Sequence, residues 1–158
     1  MAELPASALR VQAALAEGGF PAEIATFPEG TRTAADAAAA IGCTVAQIAK
    51  SLVFRAAGSD RAVLVVASGV NRVDDARIAA ALGAAIGRAD AAFVREATGY
   101  AIGGVPPLAH ARPPVAFVDA DLARQDPIWA AAGTPHAVFR TSFADLVRMT
   151  GGRVIAVA

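Results

Sequence analysis

An α/β domain built on a mixed sheet is the architecture this sequence predicts, and three observations predict it. Apolar, β-branched runs at residues 51–55 and 62–67 flank the turn residues Gly58, Ser59 and Asp60, the pattern of a hairpin of central strands. Helical stretches with capping residues and glycine stops are interspersed unevenly with further short strands. A length of 158 residues, 56% hydrophobic and 18% charged, suits one compact domain, 1–158, whose apolar burial can offset its ordering entropy. Much of that apolar count is alanine, so large core residues are fewer than it suggests.

The elements follow in chain order. Leu9, Val11, Ala14 and Leu15 fall at helical spacing across residues 7–18, and Gly18-Gly19 stops that helix. Residues 22–27 read as a short strand entering the loop 28–32, which Pro28 opens. Thr33, with Asp36 three positions on, starts an alanine-rich helix to Ile41 that Gly42 closes, and residues 45–49 read as a second short helix. Lys50 then stands at a helix-to-strand junction. Residues 74–82 and 90–98 are helices opened by acidic side chains, which suit the positive end of the helix dipole, and ended by Gly83 and Gly99. Two glycines and two prolines make residues 101–108 a loop whose backbone groups are free to face a ligand. Strands are expected at 114–118, 128–132 and 137–140. Ser142 opens a last helix that Gly151-Gly152 end, and residues 153–157 form the closing strand.

The formal net charge of +0 and the pI near 6.7 argue against a protein that coats nucleic acid wholesale, though not against a local basic patch. One cysteine, Cys43, cannot form an intramolecular disulfide, and the N-terminal residues lack a basic stretch followed by an apolar one. The apolar runs are too short to span a bilayer, so a cytoplasmic location without a membrane partner is expected. Lys50 is the only lysine among the 14 basic residues, all the others being arginine. In so arginine-biased a sequence, a lone lysine is either a chance survivor or a residue whose compact, rotatable ammonium a planar guanidinium cannot replace.

The glycine-rich nucleotide motifs, HExxH, GxSxG and paired CxxC are all absent, and no cofactor is expected. His110 and His136 fall in loops without identifiable ligand partners, so no metal site is expected either. Cys43 reads as a small buried hydrophobe, since a nucleophilic thiol needs a base or cation beside it. What remains is Lys50-Ser51, Gly103-Gly104-Val105-Pro106, and Ala132-Gly133-Thr134-Pro135-His136. An ammonium near uncovered glycine N–H groups describes an anion or oxyanion site, although the same loops also read as plain tight turns.

Four stretches carry a resemblance. They are Thr31-Arg32-Thr33 before the alanine-rich helix, the segment 47–54 (QIAKSLVF), the segment 99–108 (GYAIGGVPPL), and Ala131-Ala132-Gly133. In this order and spacing they resemble the YbaK/EbsC family, related to the editing domain of prolyl-tRNA synthetase, from about Phe20 to the C-terminus. The resemblance implies an α/β fold with a mixed, partly barrel-like β-sheet wrapped by helices. It also implies a trans-editing hydrolase that deacylates mischarged tRNA, with alanine, cysteine, serine or threonine on tRNA for proline or a related tRNA. The implied partners are the 3′ aminoacyl end of that tRNA and an aminoacyl-tRNA synthetase.

Lys50 matches the family's shared lysine. The resemblance therefore makes Lys50, Gly103 and Gly104 the expected catalytic residues, with Lys50 on the terminal phosphate or the ester carbonyl and glycine N–H groups orienting the carbonyl and a water. Phe27, Thr31, Ser51, Ser68, Val105, Pro106, Gly133 and His136 are the expected substrate-binding residues. Arg32, Arg55 and Arg72 are the expected phosphate contacts. Three positions depart from or vary within the family pattern: Ala109 stands where glycine is common, Ser51 follows the lysine where relatives vary, and the loop after Gly133 lacks an acidic residue found in some members. Two alternatives stay open, a non-catalytic protein that holds tRNA ends or nucleotides and an unrelated small-molecule hydrolase using Cys43 or His136.

Overall fold

Eight strands form one mixed sheet in the computed structural model, which describes residues 4–31 and 33–158. In chain order the elements are α1 (Ala6–Glu17), β1 (Ile24–Thr26), α2 (Ala34–Ile41), β2 (Ile48–Ala56), β3 (Ala62–Ser68), α3 (Asp75–Leu82), β4 (Ile86–Arg88) and α4 (Ala91–Thr98). They continue with β5 (Val115–Asp119), β6 (Ile128–Ala131), β7 (Ala137–Thr141), α5 (Phe143–Thr150) and β8 (Arg153–Ile155). The strand order is β1-β7-β6-β2-β3-β5-β8, with β4 attached to β2. The expected hairpin is there: β2 and β3 run antiparallel, with Lys50 opposite Ala67. Parallel pairs β2·β6, β3·β5 and β5·β8 make the sheet mixed.

Strand β3 explains why the sheet is covered on both faces. Its seven residues are all buried, as expected of a central strand that reads as one apolar run. Because side chains alternate, Leu64 and Val66 join the cluster of Val11, Leu15, Phe139 and Leu146, whereas Val63 and Val65 join Ile78, Phe117 and Val157. Helices α1 and α5 thus pack one face and α3 the other. Each such large side chain contributes about 1.5–3 kcal/mol on burial.

The helix ends follow the local chemistry of the sequence. Thr33, Asp74, Asp90 and Ser142 each accept a backbone N–H of the first turn. Gly42, Gly83, Gly99 and Gly151 close the same four helices in the left-handed conformation. The second short helix expected at residues 45–49 is a single 3₁₀ turn, Val45–Gln47. Its capping box is closed by Thr44 and Gln47, and Ile48 and Ala49 then pair with Trp129 and Ala130 of β6, so strand pairing begins before Lys50. Lys50 therefore lies inside β2, not at its junction.

One consequence of this pairing positions the site. On the edge of β2 opposite β3, β6 pairs only with Ile48 and Ala49, and β4 pairs only with Phe54, Arg55 and Ala56. The residues between them, 50–53, have no register partner on that edge among the described residues.

Candidate active site

A cavity of about 290 Å³ opens at this break in the sheet. Lys50, Ser51 and Leu52 of β2 face it together with Trp129, Ala130 and Ala131 of β6 and Ala137 and Val138 of β7. The start of α2 contributes Thr33, Ala34 and Ala37, and the surrounding loops contribute Thr31, Ile102, Gly103, Val105 and Thr134. Ile102, 59% exposed, forms an apolar lip.

Lys50 makes no ion pair among the described residues. Partial burial pushes its ammonium pKa down, and the negative charge of Asp119 acts the other way. Asp119 is itself buried and held by three donors: the Ser68 N–H at 3.0 Å, Asn71 Nδ2 at 2.8 Å and the Asp121 N–H at 2.9 Å. Beside Lys50, the Ser51 hydroxyl is buried without a hydrogen-bond partner among the described residues. The cavity wall thus offers a free cation, an unused hydroxyl and a strand edge without a register partner. Gly103 adds to this, since its φ of 92° is left-handed and its N–H has no acceptor among the described residues.

Of the residues expected at the site, the fold brings Lys50, Thr31, Ser51, Gly103 and Val105 to the cavity wall. The other six lie outside the lining. Gly104 is not in a positive-φ conformation; its N–H is donated to Ala101 O at 3.0 Å, which takes it out of use as a carbonyl donor. A Cβ at Gly104 would stand 2.6 Å from Thr134 Cα, so this glycine permits two loops to touch. At Gly133 a Cβ would stand 2.7 Å from Ser7 O, so that residue faces α1. Pro106 is buried and its carbonyl lies 2.6 Å from His110 Nε2. Ser68 is buried with its hydroxyl donated to Ala46 O at 2.8 Å. Phe27 and His136 tie the loops at the rim together: the Phe27 N–H reaches His136 O at 2.8 Å, and Thr31 donates its N–H and Oγ1 to Pro135 O at 2.9 and 3.0 Å.

Among the arginines, Arg55 is paired with Asp60 and lies over Phe93 at the far end of β2. Arg72 is exposed in the turn after β3, and Arg32 falls outside the described residues. Cys43 is half-buried in a cluster with Ala37, Ala38 and Ile48, and burial raises its thiol pKa, which disfavours a thiolate. No group of three metal-ligating side chains exists among the described residues, and no helix among them is long and apolar enough to cross a membrane. Sequence reasoning missed Ile102, Thr134 and Trp129; the indole reaches the wall only through the β2–β6 register, a signal no local pattern carries.

The profile of the aminoacyl-tRNA editing domain matches residues 28–149, which include every strand and loop of the cavity. The chain belongs to the aminoacyl-tRNA editing domain family. Its resemblance to YbaK/EbsC proteins is borne out, as is the mixed α/β fold. A structure described as a candidate trans-editing enzyme for prolyl-tRNA synthetase is similar at 43% identity and a TM-score of 0.92, with 98% of each chain covered. Another, described only as a hypothetical protein, is 30% identical with a TM-score of 0.86, covering 94% of this chain and 98% of the other. The uncharacterized protein YwhH of Bacillus subtilis (strain 168) is 30% identical over 132 residues, 84% of this chain and 83% of that protein. Aminoacyl-tRNA editing is therefore the activity that the family match supports for this chain.

Proposed function

We propose that the chain is a deacylase acting in trans, which hydrolyses the ester between a small amino acid and the 3′ end of tRNA for proline or a related tRNA. The observation that carries this reading is Lys50, the only lysine of the sequence, without an ion pair among the described residues on the wall of a cavity within an editing-domain fold. Similarity to a structure described as serving prolyl-tRNA synthetase supports the choice of tRNA. The small, alanine-rich wall supports alanine, cysteine, serine or threonine as the amino acid.

An aminoacyl ester is already activated, so no covalent nucleophile is required. Water adds to the carbonyl carbon, the bond to the ribose oxygen breaks, and the water's protons leave on the ribose hydroxyl and to solvent. Lys50 is the cation that stabilises the oxyanion or holds the terminal phosphate, and its partial desolvation strengthens that attraction. The Gly103 N–H takes the orienting role, because the Gly104 N–H is already used within the loop. The cavity wall aligns the ester by shape.

The test is hydrolysis of tRNA for proline charged in turn with alanine, cysteine, serine and threonine. Lys50→Ala should lower the rate by about a hundredfold or more with the fold intact by circular dichroism, the scale for losing one preorganised electrostatic contact. Lys50→Arg should recover little of it, because a planar fork does not sit where a rotatable ammonium does. A folded Lys50→Ala protein with near-normal turnover would sink the mechanism, and binding without turnover by the unmodified chain would favour a tRNA-holding protein instead.

A further inference from the structure

His110 lies outside the cavity lining, in a setting that packing alone does not account for. The ring is half-buried behind the loop 101–108, its Nδ1 is buried without a partner among the described residues, and its Nε2 stands 2.6 Å from Pro106 O. A carbonyl oxygen can only accept, so Nε2 carries a proton in this bond. A leucine would fill this space without an unpartnered ring nitrogen, but it would take the donor away from the Pro106 carbonyl. What the histidine adds is the bond to Pro106, one residue beyond Val105 and three beyond Gly103, both on the cavity wall.

The surroundings favour a neutral ring. Burial holds its pKa below the ordinary histidine range, with the Pro106 hydrogen bond acting the other way. The Tyr100 ring lies 6.3 Å away, and the Arg10 guanidinium of α1 lies over that phenol. Leu64 of β3 and Met149 and Thr150 of α5 share a cavity of about 220 Å³ with His110 and bring no charge. No carboxylate pairs with the ring among the described residues.

Apart from the Gly104 N–H bond to Ala101 O and the contact of Gly104 with Thr134, the loop is tied at its base. Tyr100 donates its hydroxyl to Ala109 O at 3.0 Å, Arg10 reaches Gly99 O at 3.1 Å, and the Ala111 N–H meets Thr98 O at 2.9 Å. Among the described residues only the His110 ring reaches the Pro106 carbonyl, next to the segment that walls the cavity. We propose that His110 is a positioning residue, which holds Pro106 and thereby sets the Gly103–Val105 wall against which the ester is aligned.

This rests on the deacylase reading, and the experiment separates the two. His110→Gln keeps an N–H donor near the reach of Nε2, whereas His110→Leu fills the volume without one. With the four mischarged tRNAs as probes, His110→Leu should lower kcat about tenfold or more with KM nearly unchanged, and His110→Gln should recover most of it, because a small misplacement of a wall is a kcat effect. Equal kcat values for the two variants, or a loss confined to KM, would overturn the proposal. Long-range nitrogen–carbon NMR of the unmodified protein at neutral pH, which needs no variant to fold, should report a proton on Nε2; a ring protonated on Nδ1 alone would also overturn it. If the unmodified protein hydrolyses none of the probes, the deacylase reading fails. The Gly103 and Val105 amide shifts, near native in His110→Gln and displaced in His110→Leu, then decide on their own whether the ring holds the wall, and unmoved shifts in both would overturn it.

Discussion

A buried hydroxyl without a partner costs about 1–3 kcal/mol of lost hydration, and Ser51 holds one at the cavity wall next to Lys50. Such an atom costs free energy in the free protein, and under the proposed function a bound group is what would satisfy it. Ser51→Ala should therefore leave stability unchanged or raise it by up to about 1 kcal/mol, while lowering deacylation by about tenfold, the worth of one hydrogen bond to a bound group. Thermal melts and single-turnover rates on the same preparations check this; a variant that loses stability without losing rate would make the hydroxyl structural. Ala109 shows local strain of another kind. Its φ of 64° is in the left-handed region, where an L-residue pays about 1–2 kcal/mol that a glycine would not. The turn is needed to bring Ala109 O to the Tyr100 hydroxyl.

At the scale of elements, the helices were legible because their signals are local. Thr33, Asp74, Asp90 and Ser142 sit within three residues of the N–H groups they cap, and each paired glycine ends its own helix. The strand β4 was not, since Ile86-Gly87-Arg88 has no apolar run and exists only because β2 offers an edge. The glycine loop was legible as a loop but not in its division of labour. Gly103 faces the cavity with positive φ, and Gly104 allows contact with Thr134. A Cβ at Gly103 meets Pro135 Cγ at 3.5 Å, an ordinary contact, so Gly103→Ala incurs mainly the cost of its φ, about 1–2 kcal/mol. At Gly104 the Cβ meets backbone atoms at 2.6, 2.8 and 3.0 Å, which cannot swing aside. Gly104→Ala should therefore destabilise more than Gly103→Ala, by about 1–3 kcal/mol in total, and denaturant titration of both variants orders them. The reverse order would mean that the two loops separate freely.

At the scale of the molecule, the sheet order that assembles the site was beyond local reading. The cavity depends on β6 lying parallel to the start of β2 and β4 leaving the middle of that strand uncovered, pairings between distant segments that periodicity does not encode. Charge is the molecular property that was legible, and it governs how the chain should grip its substrate. Fourteen basic residues are balanced by fourteen acidic ones. Arg55, Arg77, Arg124 and Arg148 are already engaged with aspartates. The proposed grip uses few of the remaining cations: Lys50 on the cavity wall, and Arg72, which is exposed and without an ion pair among the described residues. Each neutralised phosphate contributes a slope of about −0.7 to −0.9 in log affinity against log salt, so two or three contacts give about −2 to −3. Filter binding of tRNA for proline across a salt series should return that shallow slope, a loss of about 16- to 64-fold in affinity between about 50 and 200 mM salt. A slope of about −6 or steeper would require six or more phosphate contacts, and hence a basic surface well beyond Lys50 and Arg72.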